Sequence, residues 1–199
     1  SYTLVVRPAG QPDVVGRFTA DLSGLQGGAA YVFASGLLAG SPDFGLFAAL
    51  PNGDVVEFPV FVPTARLQVI HNSPSPTVDV YANGGLLLDN FVYRTATPFI
   101  DVPAEVLINL GVALETSASV NDTLVNFPVI FEEGKTYVVT ASGIVGDLVT
   151  PFTLIVNDGG REASADVSVV DISVLHGATN APAVDVDELL TGNVVANLP

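Results

Sequence analysis

The chain has 199 residues, with 21 Asp and Glu against 6 Lys and Arg, for a formal net charge of −15. A surface this acidic repels phosphate backbones and disfavours anionic lipid, so no nucleic-acid partner and no membrane insertion are expected; solubility, cation binding or life in high salt remain as readings of the charge. Cysteine is absent, which removes disulfides, thiolate metal sites, cysteine nucleophiles and Fe–S clusters. Hydrophobic residues make up 49%, ample for a core, and 19 Gly and 14 Pro punctuate the chain into short segments. No apolar run is long enough to span a membrane. The opening SYTLVV reads as a strand and not as a signal peptide, so an export signal would lie outside this chain.

Residues 1–63 read as strands separated by Gln26-Gly27-Gly28 and Pro51-Asn52-Gly53-Asp54. The next stretch, 64–168, predicts strands near 65–71, 77–82, 85–89, 97–101, 105–114, 123–131, 135–142 and 151–156, each with β-branched or alternating apolar residues. The breakers between them are turn-formers. Asn72-Ser73-Pro74-Ser75-Pro76 is a loop, Asn83-Gly84-Gly85 and Glu132-Glu133-Gly134-Lys135 are hairpin tips, and Asn157-Asp158-Gly159-Gly160 is a further turn. Residues 169–199 open with another apolar run and hold one helix-like fragment, near Asp187–Leu190.

The chain repeats itself. ARLQVIHNSPSPTVDVYANGGLLLDN, from Ala65, returns as VDISVLHGATNAPAVDVDELLTGN, from Val170, and His176 stands 105 positions after His71. The Tyr31 segment YVFASGLLAG likewise returns at Tyr137 as YVVTASGIVG, 106 positions on. A unit of about 105 residues is the size of a small β domain. The expected organisation is therefore the back part of one repeat at 1–63, a whole repeat at 64–168 and the front part of a third at 169–199. Residues 169–199 are expected to complete 1–63, within the chain or by exchange between chains, which makes self-association through the incomplete repeat an expectation. Strands at this spacing without a helical period predict an all-β fold of tandem, immunoglobulin-like antiparallel β-sandwiches.

Strand phase orders the recurrent polar residues. Leu67, Val69 and His71 fall on one face and Gln68 and Ile70 on the other; Ile172, Val174 and His176 share a face in the later copy. Val78 and Val80 oppose Asp79 and Tyr81, so simple alternation does not pair His71 with Asp79. His71, Asp79, Tyr81, His176 and Asp185 form a recurrent motif. Its chemical reading is a metal ligand or general base with an aspartate partner, and its structural reading is a histidine that fixes its own loop. The structural reading is preferred, since one histidine per unit does not build a zinc site.

Other constellations are weaker. Asn157-Asp158 and Asn52-Asp54 carry oxygen ligands but not the spacing of a calcium loop. Asp185, Asp187 and Glu188 form a small acidic cluster. Glu132-Glu133 suggests paired carboxylates, but neighbours on a hairpin tip point apart. The five tyrosines could stack on sugar, although Tyr31 and Tyr137 recur at one position, as packing residues do. No nucleophile elbow or phosphate loop is present. No catalytic residue, cofactor or metal is assigned.

VIHNSPSPTVDVYANGGLLLDN and VLHGATNAPAVDV resemble the opening of DUF4397 domains, and PFIDVPA (Pro98–Ala104) and KTYVVTASG (Lys135–Gly143) follow in the order of that family. The later copy departs from the pattern, with VDVDELL in place of the VDVY hairpin. The resemblance implies a β-sandwich in an extracellular or cell-surface protein and brings no catalytic residue with it. The expected function is a non-enzymatic secreted or cell-surface module serving as spacer, stalk or adhesive element. The alternatives are a module binding a surface protein or glycan through end loops 72–76 and 177–183, and a hydrolase-type enzyme using the strand-end histidines.

Overall fold

Between Thr64 and Asn157 the β-branched and alternating runs become strands close to where the sequence predicts them. The structure, a computed structural model, describes residues 1–178, 180–188 and 192–198. It divides into two units, Ser1–Val62 and Pro63–Pro199.

In the first unit β1 (Tyr2–Val6) pairs antiparallel with β2 (Gly16–Ala20), and β3 (Tyr31–Ser35), β4 (Gly45–Ala49) and β5 (Val55–Phe58) form an antiparallel meander. Phe18 and Ala20 of β2 meet Leu46, Ala48 and Phe58 in one small core, with Leu4, Val6 and Phe44 packed against it.

The second unit holds β6 (Thr64–His71), β7 (Val78–Ala82), β8 (Gly85–Phe91), β9 (Thr95–Ala96), β10 (Ile100–Pro103), β11 (Leu107–Leu114), β12 (Val125–Ile130), β13 (Thr136–Ser142) and β14 (Thr153–Asn157), followed by β15 (Val184–Glu188) and β16 (Gly192–Leu198). One sheet runs β10-β6-β13-β14, with β9 also on β6; the other runs β12-β11-β7-β8. Ala65, Leu67, Tyr137 and Val139 from the first sheet share a core with Ile108 and Leu110 from the second. The two sheets thus bury their apolar faces against each other, as alternation requires. The fold is all-β.

Several details carry a physical cause. The β7–β8 hairpin turns at Asn83 (φ 48°) and Gly84 (φ 89°), the two left-handed positions a tight hairpin needs. Pro128 lies in β12, an edge strand, where its missing N–H costs no ladder bond. The strand expected at 97–101 is broken instead into β9 and β10. Pro98 falls in the break, and the Thr97 hydroxyl accepts the Val69 N–H at 3.0 Å in place of a backbone carbonyl.

Three other expectations are corrected. Not every pairing is antiparallel: β13 lies parallel to β6, Tyr137 facing Leu67 and Ala141 facing His71, which the long intervening chain permits. The later copy of β6 forms no strand. Residues 171–178 lie outside any sheet, with Ile172 80% exposed, Val174 exposed and His176 half-buried. β6 is held by β10 on one side and β13 on the other; residues 171–178 have no such neighbours in the sheets described. The helix-like fragment is not a helix at Asp187–Glu188, which belong to β15; Leu189–Thr191 lie outside the described residues. The competing β-branched alternation of VDVDE prevails there over the helix-forming DELL.

Some features recur between the units. β3 and β13 each end in Ala-Ser-Gly, at Gly36 (φ 89°) and Gly143 (φ 80°). Each is followed by an isolated parallel bridge, Leu37 with Asp43 and Ile144 with Pro151. A Cβ at Gly36 would sit 2.0 Å from Asp43 O, and one at Gly143 2.1 Å from Pro151 O, so both turns require glycine for conformation and for space.

Candidate functional site

The recurrent motif divides among separate networks of the second unit. β6 carries His71 into full burial, and its ring tilts against Phe91 with 5.5 Å between centroids. The loop that follows folds back on the ring. Nε2 lies 3.1 Å from Pro76 O, and Nδ1 accepts the Ser73 N–H at 3.3 Å. These partners fix the tautomer: Nε2 carries the proton and donates to the carbonyl, and Nδ1 is the acceptor. Burial pushes the ring below its ordinary pKa, only partly opposed by the Pro76 bond, so the neutral form is the one held. Neither nitrogen is left for a substrate proton or a metal. Ser73 Oγ donates to Ser75 O at 3.2 Å and closes the loop on itself.

Asp79 and Tyr81 belong to a second network. Alternation places them opposite Val78 and Val80, but all four are buried, so both faces of β7 are covered. Asp79 Oδ1 accepts the Asn90 N–H at 2.9 Å, and Oδ2 accepts the Ser117 hydroxyl. With that one proton used, Ser117 Oγ takes its second bond from the Tyr81 hydroxyl at 2.8 Å. Asn90 stands at φ 52°, a left-handed position the carboxylate secures. The aspartate thus ties the end of β8 and the loop after β11 to the middle of β7. His71 and Asp79 share no partner, as the phase predicts.

The later histidine keeps the local bond without the surroundings. His176 Nε2 lies 3.0 Å from Pro182 O, the counterpart of the His71–Pro76 contact, but the ring is only half-buried. Asp185 is exposed on β15. The two end loops named by the sequence meet at corresponding positions, where Asn72 Nδ2 donates to Gly177 O at 2.9 Å. A Cβ at residue 177 would lie 2.1 Å from that amide nitrogen, which is why glycine stands there. Thr179, inside the predicted 177–183 loop, lies outside the described residues.

The calcium candidates are occupied locally. Asn52 Nδ2 donates to Asp54 Oδ2 at 2.6 Å, Asn157 Oδ1 caps the Gly159 N–H at 2.9 Å, and Asp158 pairs with Lys135 at 3.2 Å. Lys135 also binds Glu132, and these two carboxylates raise its pKa well above the ordinary lysine range. Among the described residues no group of three His, Asp or Glu could hold a metal ion. In the acidic cluster the Glu188 side chain lies outside the described residues, and Asp187 is exposed. Tyr31 and Tyr137 do not share a packing role: Tyr137 is buried against Phe131 in the core between the two sheets, whereas Tyr31 is 75% exposed on β3.

The structure adds residues the sequence reading missed. Ser117, Asn90 and Thr97 satisfy the buried polar groups, and only the turn-forming Asp89-Asn90 pair signals one of them. Arg94, at φ 64°, donates its N–H to His71 O at 2.7 Å. Beside it lies a groove of about 1040 Å³ over the outer face of the β6-β13-β14 sheet. Residues 170–178 form its far wall, tied down by Arg161 to Asp171 at one end and Asn72 to Gly177 at the other.

No helix described is long and apolar enough to cross a membrane. A family model described as a domain of unknown function, DUF4397, matches residues 65–187. Comparison with curated proteins and with solved structures returns no match.

Proposed function

The chain belongs to the DUF4397 family, and from that premise we propose that it is a non-catalytic module of a secreted or cell-surface protein, built as tandem immunoglobulin-like sandwiches and acting as a spacer, stalk or adhesive element. The observation that carries this reading is that the polar groups of the recurrent motif in the second unit are spent inside the fold. Both nitrogens of His71, both oxygens of Asp79 and the Tyr81 hydroxyl have intramolecular partners. A motif used this way holds loops in place, which is what a load-carrying module needs. Tandem repetition is supported by the recurring histidine-to-proline contact and by the matched turns at Gly36 and Gly143.

The test is a screen of ester, amide and glycoside hydrolysis by the wild-type chain and by His71→Gln. No His71-dependent turnover is expected; turnover lost in a variant that stays folded would overturn the reading in favour of a hydrolase. For location, protease added to intact producing cells should cleave the protein. Self-association through residues 1–63 and 169–199 belongs to the same proposal, and light scattering over a range of concentrations tests it, a mass that never exceeds the monomer arguing against exchange between chains.

A second reading, a module that binds a surface protein or glycan, is favoured by one observation: the loops at Asn72 and Gly177 meet at the end of the outer-face groove.

A further inference from the structure

We infer that this groove binds a carboxylated oligosaccharide, with the Arg94 guanidinium as the anchor for the carboxylate. The inference rests on the second reading above, that the chain is a binding module, and gives it a ligand class.

The first observation is electrostatic. Arg66, Lys135 and Arg161 each pair with carboxylates: Arg66 with Glu162 and Asp101, Lys135 with Glu132 and Asp158, Arg161 with Asp171. Arg94 is the one described cation of the second unit without an ion pair, in a chain of net charge −15. Its guanidinium lies 4.8 Å from the Tyr93 ring centroid and lines the groove. The backbone beneath it is held left-handed by the bond to His71 O, a conformation unusual for arginine that the buried histidine strand keeps in place. An exposed guanidinium pre-positioned on an aromatic face and lacking an internal anion is built to take an external one.

The second observation concerns the floor. It consists of two cross-strand rows, Gln68-Val138-Asn157 and Ile70-Thr140-Ile155. β6 and β13 spend their backbone in ladders on both sides, and over the floor only side chains of the three strands are presented, the one free main-chain edge being the outer side of β14. Recognition over the floor falls to the amide atoms of Gln68 and Asn157 that are not bonded to Thr97 O and the Gly159 N–H, and to short apolar patches. That mixture suits sugar rings, which present hydroxyls at their rims and C–H groups on their faces. The groove volume suits a few sugar units.

The experiment is calorimetric titration of the whole chain with oligogalacturonate, a neutral galacto-oligosaccharide and oligoglutamate, repeated on Arg94→Gln and Arg94→Lys. Thermal melting confirms that each variant is folded. Saturable binding of oligogalacturonate is expected, weakened by salt, reduced about ten-fold or more in Arg94→Gln and partly restored in Arg94→Lys. Equal binding of the neutral sugar with no effect of Arg94→Gln overturns the anionic anchor but leaves the binding-module reading standing. Preference for oligoglutamate overturns the sugar assignment. Failure of all three probes to bind overturns the inference, and binding of the chain to whole producer-cell surfaces then decides separately whether the binding-module reading falls with it.

Discussion

His71 and His176 make the same bond in different surroundings. Each ring reaches the carbonyl of a proline that closes its loop, at 3.1 and 3.0 Å. Around His71 the preceding residues form a strand between two neighbours and the ring is buried; around His176 the preceding residues lie outside any sheet and the ring is half-exposed. The comparison separates two levels of information. The loop is set by sequence within a few residues of the histidine, whereas the strand exists only where partners from elsewhere in the chain supply its ladder. The motif's histidine-to-proline contact therefore does not require a flanking sheet strand.

The comparison breaks most visibly by deleting each ring. His71→Ala should cost about 3 kcal/mol in the unfolding of the second unit, since it leaves a cavity and strands the Pro76 carbonyl and Ser73 N–H. His176→Ala should stay within about 0.5 kcal/mol, because its partner is solvated. Equal costs in chemical denaturation would show that the two environments are alike after all. Gly143→Ala, at φ 80° and against Pro151 O, should cost about 2 kcal/mol or more, and Gly36→Ala should do the same to the first unit. Tyr81→Phe removes one hydroxyl from the Asp79 network and should cost about 1 kcal/mol by the same measurement.

Acid titration sharpens the contrast further. The folded pKa of His71 lies below the ordinary 6.5 because burial penalises the charged ring. Above pH 6.5 both states are neutral there, and its contribution to stability is complete. As pH falls below 6.5 the unfolded chain binds the proton first, so stability declines toward the folded pKa. Melting temperature followed between pH 7.5 and 5 should show this slope in the wild type and lose it in His71→Gln. Glu162, held below the usual carboxylate range by Arg66, acts in a separate window below about pH 4.5.

Much of the fold was legible because alternation and turn chemistry are local. Asn83-Gly84 announced its hairpin, and Leu67 and His71 are buried on the face their phase assigns, with Val69 half-buried against the core. Burial of Asp79 and Tyr81 was not legible, because the Ser117 loop that covers them approaches from beyond β11. The gap between β9 and β10 turned on Thr97 replacing a backbone partner, which no periodicity reveals. The bare edge of β14 is a similar case. Its counterpart β4 is covered by β5, whose VVEF is rich in β-formers, while the segment after β14, REASAD, is not and forms no strand. The groove was half legible: Gln68 and Ile70 were placed on the outer face, but the wall at 170–178 depends on the distant Asn72–Gly177 and Arg161–Asp171 contacts.

The parallel pairing of β6 with β13 has a consequence for the order of events during synthesis. β6 is the first strand of its unit to be made, yet its neighbour β13 is made only after both edges of the opposing sheet, β8 and β12. Until Thr136–Ser142 arrives, Leu67 and His71 have no settled place in the core. Closure of the two facing sheets must then wait until the chain has been made through Ser142, with a high contact order and a correspondingly slow rate, and a chain halted before β13 would present an unfinished sheet to whatever chaperone or transport machinery meets it.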